Sequence, residues 1–221
     1  MSTAKRTGKT ADGMGAGQRT FLIVARLFFG LLTLAAIISQ LAIQIQNGYS
    51  LVNFFSYFTN LSNILAAIVL LIGGYNLFQR RQPTLATDLV RGTAAVSMAV
   101  VGIVFSILLR NEDVGSLLPW VNAVLHYIMP VVMVLDWLYQ PPKSRFVLGQ
   151  TWYLLIFPFI YIVYTLIRGA IVGFYPYPFL NPAKVGGYGG VALYCLAILV
   201  LFILLSWLFM FLGNSLKRHV E

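Results

Sequence analysis

Six long apolar runs separated by short connectors most constrain what this chain can fold into. They cover residues 20–45, 54–78, 86–109, 118–139, 148–173 and 187–212. Each run can supply the roughly 20 helical residues that cross a hydrocarbon core. Because lipid cannot solvate an unpaired backbone, such runs are stable there as helices. The sequence therefore predicts an all-α polytopic membrane bundle with six transmembrane helices.

Composition excludes a soluble protein. Charged residues make up 10% of the 221 positions and apolar residues 59%, whereas an ordinary soluble domain is about 25% charged. We expect a disordered basic cytoplasmic tail at 1–18, the membrane domain at 19–214 and a short cytoplasmic tail at 215–221. The single cysteine, Cys195, excludes an internal disulfide.

The distribution of basic residues predicts the orientation. Ten of them fall in the two tails and in the second and fourth connectors: Lys5, Arg6, Lys9, Arg19, Arg80, Arg81, Lys143, Arg145, Lys217 and Arg218. With residues within or at the ends of the spans, such as Arg110, set aside, the opposite connectors hold Lys184 as their one basic residue, together with Glu112 and Asp113. Because cytoplasmic loops carry the excess of Lys and Arg, both termini are predicted to be cytoplasmic in a multi-pass protein of the cell membrane.

The net charge of +9 has the same origin. The positive groups are scattered over short connectors and tails, where anionic lipid headgroups attract them. Membrane lipids are therefore the predicted partners, and nucleic acid is not. The oligomeric state does not follow from the sequence.

Polar side chains inside the runs gather in the half of the membrane away from the tails. Thr59 lies six residues past Asn53, and His126 lies eight past Leu118. At 1.5 Å per residue these depths are roughly 9 Å and 12 Å. Ionisable groups inside a membrane are costly and usually functional, so His126 is the strongest candidate for a functional residue.

Neighbouring polar residues fall at similar depth. Ser56, Thr59, Asn60 and Asn63 follow the spacing of one helical stripe, which predicts a cavity-lining face. Further members of this polar set are Gln40, Gln44, Asn122, Tyr164 and Arg168, with Tyr161 on the same helix face as the last two.

Structural roles remain open for several of these residues. Thr59 could donate to the carbonyl of Phe55 one turn earlier. Asn60 and Asn63 could join helices, and Arg168 could reach the headgroups. Near the tail end of the bundle, Arg26 and Asp136 are predicted to form a structural ion pair.

The residue types favour hydrolysis by a nucleophile and its base. No cofactor is predicted, because the two histidines, His126 and His219, cannot form a bis-histidine haem site, and no metal-ligand spacing is present. A threonine becomes nucleophilic when a base takes its proton, so Thr59 and His126 are the predicted catalytic pair. The candidate donors to the substrate carbonyl are Asn63, Asn122, Tyr164 and Arg168.

Three segments resemble a known family. They are Tyr57-Phe58-Thr59-Asn60-Leu61-Ser62-Asn63, Leu125-His126-Tyr127-Ile128-Met129-Pro130, and residues 164–182, with Arg168-Gly169 and Tyr175-Pro176-Tyr177-Pro178-Phe179. Together with the order of six spans, they resemble the androgen-induced-protein family, and the last segment resembles its prokaryotic branch. The resemblance covers essentially all the chain after residue 20.

The resemblance implies a specific activity. Animal members of the family are six-span threonine hydrolases that cleave fatty acid esters of hydroxy fatty acids, with an essential threonine and histidine. Thr59 and His126 match these positions, although the residues after His126 depart from the animal pattern. A lipid or acyl-ester substrate is thus expected. A small transporter or channel, with His126 relaying protons, and a non-enzymatic scaffold are the alternatives.

Overall fold

Six helical segments long and apolar enough to cross a membrane form the bundle, as the sequence predicts. The computed structural model describes residues 14–111 and 118–217, and these residues contain helices and turns but no strand. The segments are Ala16–Gln46, Phe58–Phe78, Leu85–Leu109, Pro119–Tyr139, Leu148–Val172 and Tyr188–Leu216. The all-α membrane architecture is confirmed.

Several spans are built from more than one helical element. The α-helices are α1 (Ala16–Gln46), α2 (Leu51–Phe54), α3 (Phe58–Phe78), α4 (Leu85–Val104), α5 (Pro119–Ala123), α6 (Met129–Tyr139), α7 (Thr151–Val172) and α8 (Tyr188–Lys217). A π-helical turn, Phe105–Leu109, extends α4, and another, Val124–Ile128, joins α5 to α6. Two 3₁₀ turns, Leu148–Gln150 and Pro178–Leu180, precede α7 and α8.

The outer bounds of the bundle differ from the predicted ones. Helix α1 begins at Ala16, so residues 16–18 of the predicted tail belong to it, and α8 continues past residue 214 to Lys217. The rest of the predicted tails, residues 1–13 and 218–221, lies outside the described residues. So does the acidic connector at 112–117.

The second span is not one continuous helix, and this corrects the predicted stripe. The chain forms the short helix α2, breaks at residues 55–57 and enters α3 at Phe58. Ser56 lies in the break, where its hydroxyl donates to the carbonyl of Val52 at 2.7 Å. Helical spacing therefore does not relate Ser56 to Thr59.

Helix α4 runs through the centre of the bundle and packs against α3, α6, α7 and α8. Ala94, Ala95 and Ala99 are buried, and such small residues let membrane helices approach closely. The outer helices α7 and α8 expose large apolar side chains such as Ile171 and Leu193. Exposed apolar surface of this kind suits contact with lipid tails.

A buried charge cluster joins three helices near the end where α1 begins. Arg26 donates to Asp136 through Nε at 2.6 Å and Nη2 at 3.0 Å, which confirms the predicted ion pair. Arg91 of α4, which the sequence did not single out, donates to the same carboxylate at 3.1 Å and to the carbonyl of Gln140 at 2.7 Å. Three helices are thereby fixed to one carboxylate.

Candidate functional site

Thr59 lies in the first turn of α3. Tyr57 precedes the helix, and the first backbone bond of the helix runs from the Leu61 N–H to the Tyr57 carbonyl at 3.2 Å. The N–H groups of Thr59 and Asn60 therefore have no carbonyl one turn earlier to accept them. The positive end of the helix dipole also lies here, which favours negative charge on a nearby oxygen.

The connector between α7 and α8 folds back over this turn. Tyr177 is buried in it and accepts the Thr59 N–H at 3.1 Å. The hydroxyl oxygens of Thr59 and Tyr177 are 3.3 Å apart. Burial raises the pKa of Tyr177 to about 12, so the phenol stays protonated at neutral pH. Thr59 thus bonds to Tyr177, and its hydroxyl makes no bond to Phe55 among the hydrogen bonds of the described residues.

His126 lies in the π-helical turn between α5 and α6. Pro130 has no N–H to donate to the His126 carbonyl, and its ring would clash with that carbonyl in a regular α-helix. This accounts for the wider turn, a feature often found at functional sites. Gly102 of α4 packs closely against Pro130. A Cβ atom at position 102 would lie only 2.9 Å from the Pro130 Cβ.

The contacts of the His126 ring select its tautomer. Nδ1 lies 3.3 Å from the carbonyl oxygen of Asn122, and a carbonyl can only accept, so Nδ1 carries the proton. Nε2 is then the basic nitrogen. The ring also stacks on Phe105, with centroids 3.9 Å apart and planes 20° apart. The imidazole is therefore held in a defined orientation.

One cavity joins the two predicted catalytic residues. Thr59 and His126, each only 6% exposed, both line a space of about 30 Å³. Its wall is completed by Gln40, Gln44, Phe54, Tyr57, Asn60, Val121, Leu125 and Tyr177. This volume accommodates about one or two water molecules. No hydrogen bond links Thr59 directly to His126 in the part of the chain that the structure describes.

The other predicted site residues lie outside the wall of this cavity. Asn63 is fully buried and donates its amide hydrogens to the carbonyls of Thr59 at 2.9 Å and Leu125 at 3.1 Å. It joins α3 to the His126 turn, as the helix-joining alternative predicted. Asn122 contributes its main-chain oxygen to the site, by accepting from His126.

Tyr164 and Arg168 lie on α7, away from the cavity wall. Tyr164 is 43% exposed. Arg168 donates through Nη2 to the side chain of Asn53 at 2.7 Å, and its guanidinium lies over the ring of Phe174. This places Arg168 between α2 and the α7–α8 connector. A role for these four residues in substrate binding stays a prediction.

Tyr177 is the functional candidate that spacing alone did not single out. It occurs in Tyr175-Pro176-Tyr177-Pro178-Phe179, where the alternating aromatic and proline residues indicated a connector. Tyr177 and Phe179 are buried, with stacked rings 5.2 Å apart. Two apolar aromatic residues in a predicted connector are the signal that it inserts into the bundle.

We expect Tyr177→Phe to weaken the attachment of this connector to α3. The substitution keeps the ring but leaves the buried Thr59 N–H without its acceptor, so the free energy of unfolding should fall by about 1–3 kcal/mol. Unfolding in detergent, followed by circular dichroism, measures the change. Tyr175→Phe is the matched control, because among the described residues the Tyr175 hydroxyl bonds just the Tyr188 hydroxyl, at 3.4 Å. Equal stability of wild type and Tyr177→Phe would contradict the expectation.

No protein-family model, curated protein or solved structure matches the chain. Within residues 14–111 and 118–217, no group of three or more His, Cys, Asp or Glu side chains could hold a metal ion.

Proposed function

We propose that the protein hydrolyses lipid esters, with Thr59 as the nucleophile and His126 as the general base. The observation that carries the proposal is the shared cavity, because it brings a buried hydroxyl and a buried imidazole from separate spans to one space. A nucleophile and a base in one site are the minimum for covalent acyl transfer. The resemblance of both segments to threonine hydrolases supports the same pair.

The reaction proceeds in two steps. The Thr59 oxygen attacks the ester carbonyl carbon as His126 Nε2 accepts the hydroxyl proton, and the alcohol departs with that proton. A water molecule, deprotonated by the same nitrogen, then attacks the acyl-threonine ester. This step releases the carboxylic acid and returns the proton to Thr59.

The first turn of α3 supplies stabilisation of the oxyanion. The Tyr177 oxygen lies 3.1 Å from the Thr59 nitrogen and 3.3 Å from Thr59 Oγ1. A substrate carbonyl oxygen that replaced the phenol would accept the same N–H at the positive end of the helix. Main-chain donors in such a position stabilise developing negative charge strongly.

Substrate entry requires the site to open. A cavity of about 30 Å³ is far below the roughly 300–1,000 Å³ of ordinary ligand sites. The α7–α8 connector carries Tyr177, which lines the cavity and bonds Thr59, so that displacing this connector would uncover the Thr59 hydroxyl. We therefore assign to this connector the movement that admits an acyl ester from the bilayer.

Covalent labelling tests the nucleophile. The purified protein should react with a fluorophosphonate probe, and peptide mass spectrometry should find the probe on Thr59. We expect Thr59→Ala to abolish labelling and Thr59→Ser to retain it. Thr33→Ala is the matched control, since Thr33 is also a buried threonine but only donates to the carbonyl of Phe29 within its own helix at 2.7 Å. Labelling that persists in folded Thr59→Ala would overturn the assignment.

A transporter is the second candidate, because polar groups also occur in the other half of the bundle, around Asp136. Along the same span, however, Met129 and Met133 of α6 lie between His126 and Asp136 and are completely buried. These apolar side chains interrupt a polar path from His126 to Asp136 along α6. A proton-flux measurement in liposomes distinguishes the candidates: a hydrolase should show no flux, and His126-dependent flux would favour the transporter.

A further inference from the structure

A second cavity lies at the other end of the bundle, between the last turns of α3 and the start of α4. Its volume is about 290 Å³, close to the lower limit of the sizes usual for ligand sites. Neither Thr59 nor His126 lines it. This cavity is therefore separate from the site of the proposed hydrolysis.

The wall of this cavity is largely apolar and reaches the lipid-facing surface. Ile68 and Ile72 of α3 and Val90 of α4 line it, and each of them is about half exposed. In a bilayer these side chains face acyl chains. The cavity consequently opens sideways, between α3 and α4, to the leaflet next to the basic connectors.

Three arginines bring positive charge to this apolar wall. Arg26, Arg81 and Arg91 line the cavity, and the acidic groups that face them are Asp88, which also lines it, and Asp136, which bonds Arg26 and Arg91. Three positive charges against two negative charges leave one cation without a counter-charge.

The contacts of Arg26 show which of its atoms is available to a ligand. Its Nε and Nη2 donate to Asp136, whereas Nη1 has no acceptor among the described residues. Nη1 adjoins Gly73, where a Cβ atom would lie 3.2 Å away. The carboxylate of Asp88 accepts the N–H of Ser144 at 3.0 Å. An anion at Arg26 Nη1 would thus complete the hydrogen bonds of the guanidinium.

The turn after α3 places Arg81 at the cavity mouth. The Arg81 N–H donates to the Asn76 carbonyl at 2.9 Å, and the Arg80 N–H donates to the Leu77 carbonyl at 3.2 Å. Arg80 has a φ of 57°, a left-handed conformation that glycine usually adopts at the end of a helix. This turn folds the chain back, so that Arg81 lies on the cavity wall while Arg80 does not.

We propose that this cavity binds an anionic phospholipid from the adjacent leaflet. The phosphate accepts hydrogen bonds from Arg26 Nη1 and Arg81, and one acyl chain lies along Ile68 and Ile72. The surplus positive charge selects an anionic headgroup, and the sideways opening to the bilayer selects a lipid over a water-soluble anion. Guanidinium groups are well suited to such a phosphate because their donors match its oxygens.

Lipid retention tests the proposal on the full chain. The protein is reconstituted in phosphatidylcholine nanodiscs with or without phosphatidylglycerol, and retained lipid is measured by native mass spectrometry after release. We expect selective retention of phosphatidylglycerol and an apparent affinity about tenfold lower in Arg81→Gln, which removes a charge-assisted bond from an exposed side chain. Ile72→Trp should reduce retention by filling the apolar wall.

Arg80→Gln is the matched control, because it makes the same charge change one residue away and outside the cavity wall. It should retain phosphatidylglycerol as the wild type does. Equal weakening by Arg80→Gln and Arg81→Gln would overturn the proposal in favour of diffuse surface attraction. Equal retention of phosphatidylcholine and phosphatidylglycerol by the wild type would also overturn it.

Discussion

Replacing His126 with glutamine should lower kcat for ester hydrolysis by about 100- to 10,000-fold, the usual contribution of a general base. Glutamine preserves much of the side-chain volume but cannot take the Thr59 proton. Initial rates with a soluble nitrophenyl ester and with a fatty acid ester of a hydroxy fatty acid measure the loss. Because the two residues act in one step, His126→Gln combined with Thr59→Ala should be little slower than the slower single variant.

Phe105→Leu is the control for this experiment. It removes the ring that stacks on the imidazole at 3.9 Å but keeps the base, so kcat should fall far less than in His126→Gln. A folded His126→Gln protein with wild-type kcat would refute the role of His126 as the base. An equal loss in both variants would show that ring packing, and not proton transfer, accounts for the effect.

Replacing Asp136 with asparagine should lower the free energy of unfolding by about 3–5 kcal/mol. The change leaves Arg26 and Arg91 buried without the carboxylate that they share at 2.6 Å and 3.1 Å, and an uncompensated buried charge is strongly destabilising. Denaturation in mixed micelles of increasing sodium dodecyl sulfate content, followed by circular dichroism, measures the loss.

The combined variant Arg26→Met, Asp136→Leu, Arg91→Met separates charge from packing. A buried ionic triad replaced by apolar residues of similar volume often costs little stability, so this protein should be more stable than Asp136→Asn. If Asp136→Asn unfolds like the wild type, the cluster does not hold α1, α4 and α6 together. If the apolar variant is the less stable of the two, the ionic bonds themselves are stabilising.

The six-span architecture could be predicted from the local pattern of apolar residues. The six spans were predictable because an apolar run of sufficient length has a single stable structure in lipid, a helix that pairs its own backbone. Thr59 and His126 could be singled out by their depth in the runs, by the chemistry of a hydroxyl and an imidazole, and by the resemblance of their segments. Arg26 and Asp136 were predicted to pair because their opposite charges fall near the same end of their spans.

Other features of the site depend on packing between segments that are far apart in the sequence or on breaks in the helices. Tyr177 reaches Thr59 across 118 positions of sequence, and no periodicity encodes a connector that inserts into a bundle. The break before α3 was missed because the apolar run continues through it, although the helix does not. The π-helical turn at His126 depends on Pro130, which cannot donate to the His126 carbonyl. The pattern of apolar residues does not show this effect, so the turn was not predicted.

The sequence by itself determined an all-α membrane bundle of six spans and one buried ion pair, and it predicted Thr59 and His126 as a catalytic pair. Only the tertiary structure decided that Thr59 and His126 share a cavity, that Tyr177 from a connector contacts Thr59, and that Arg91 joins the charge cluster. The physical reason is range: hydropathy and backbone pairing act within one helix, whereas a site is made where side chains from several helices meet.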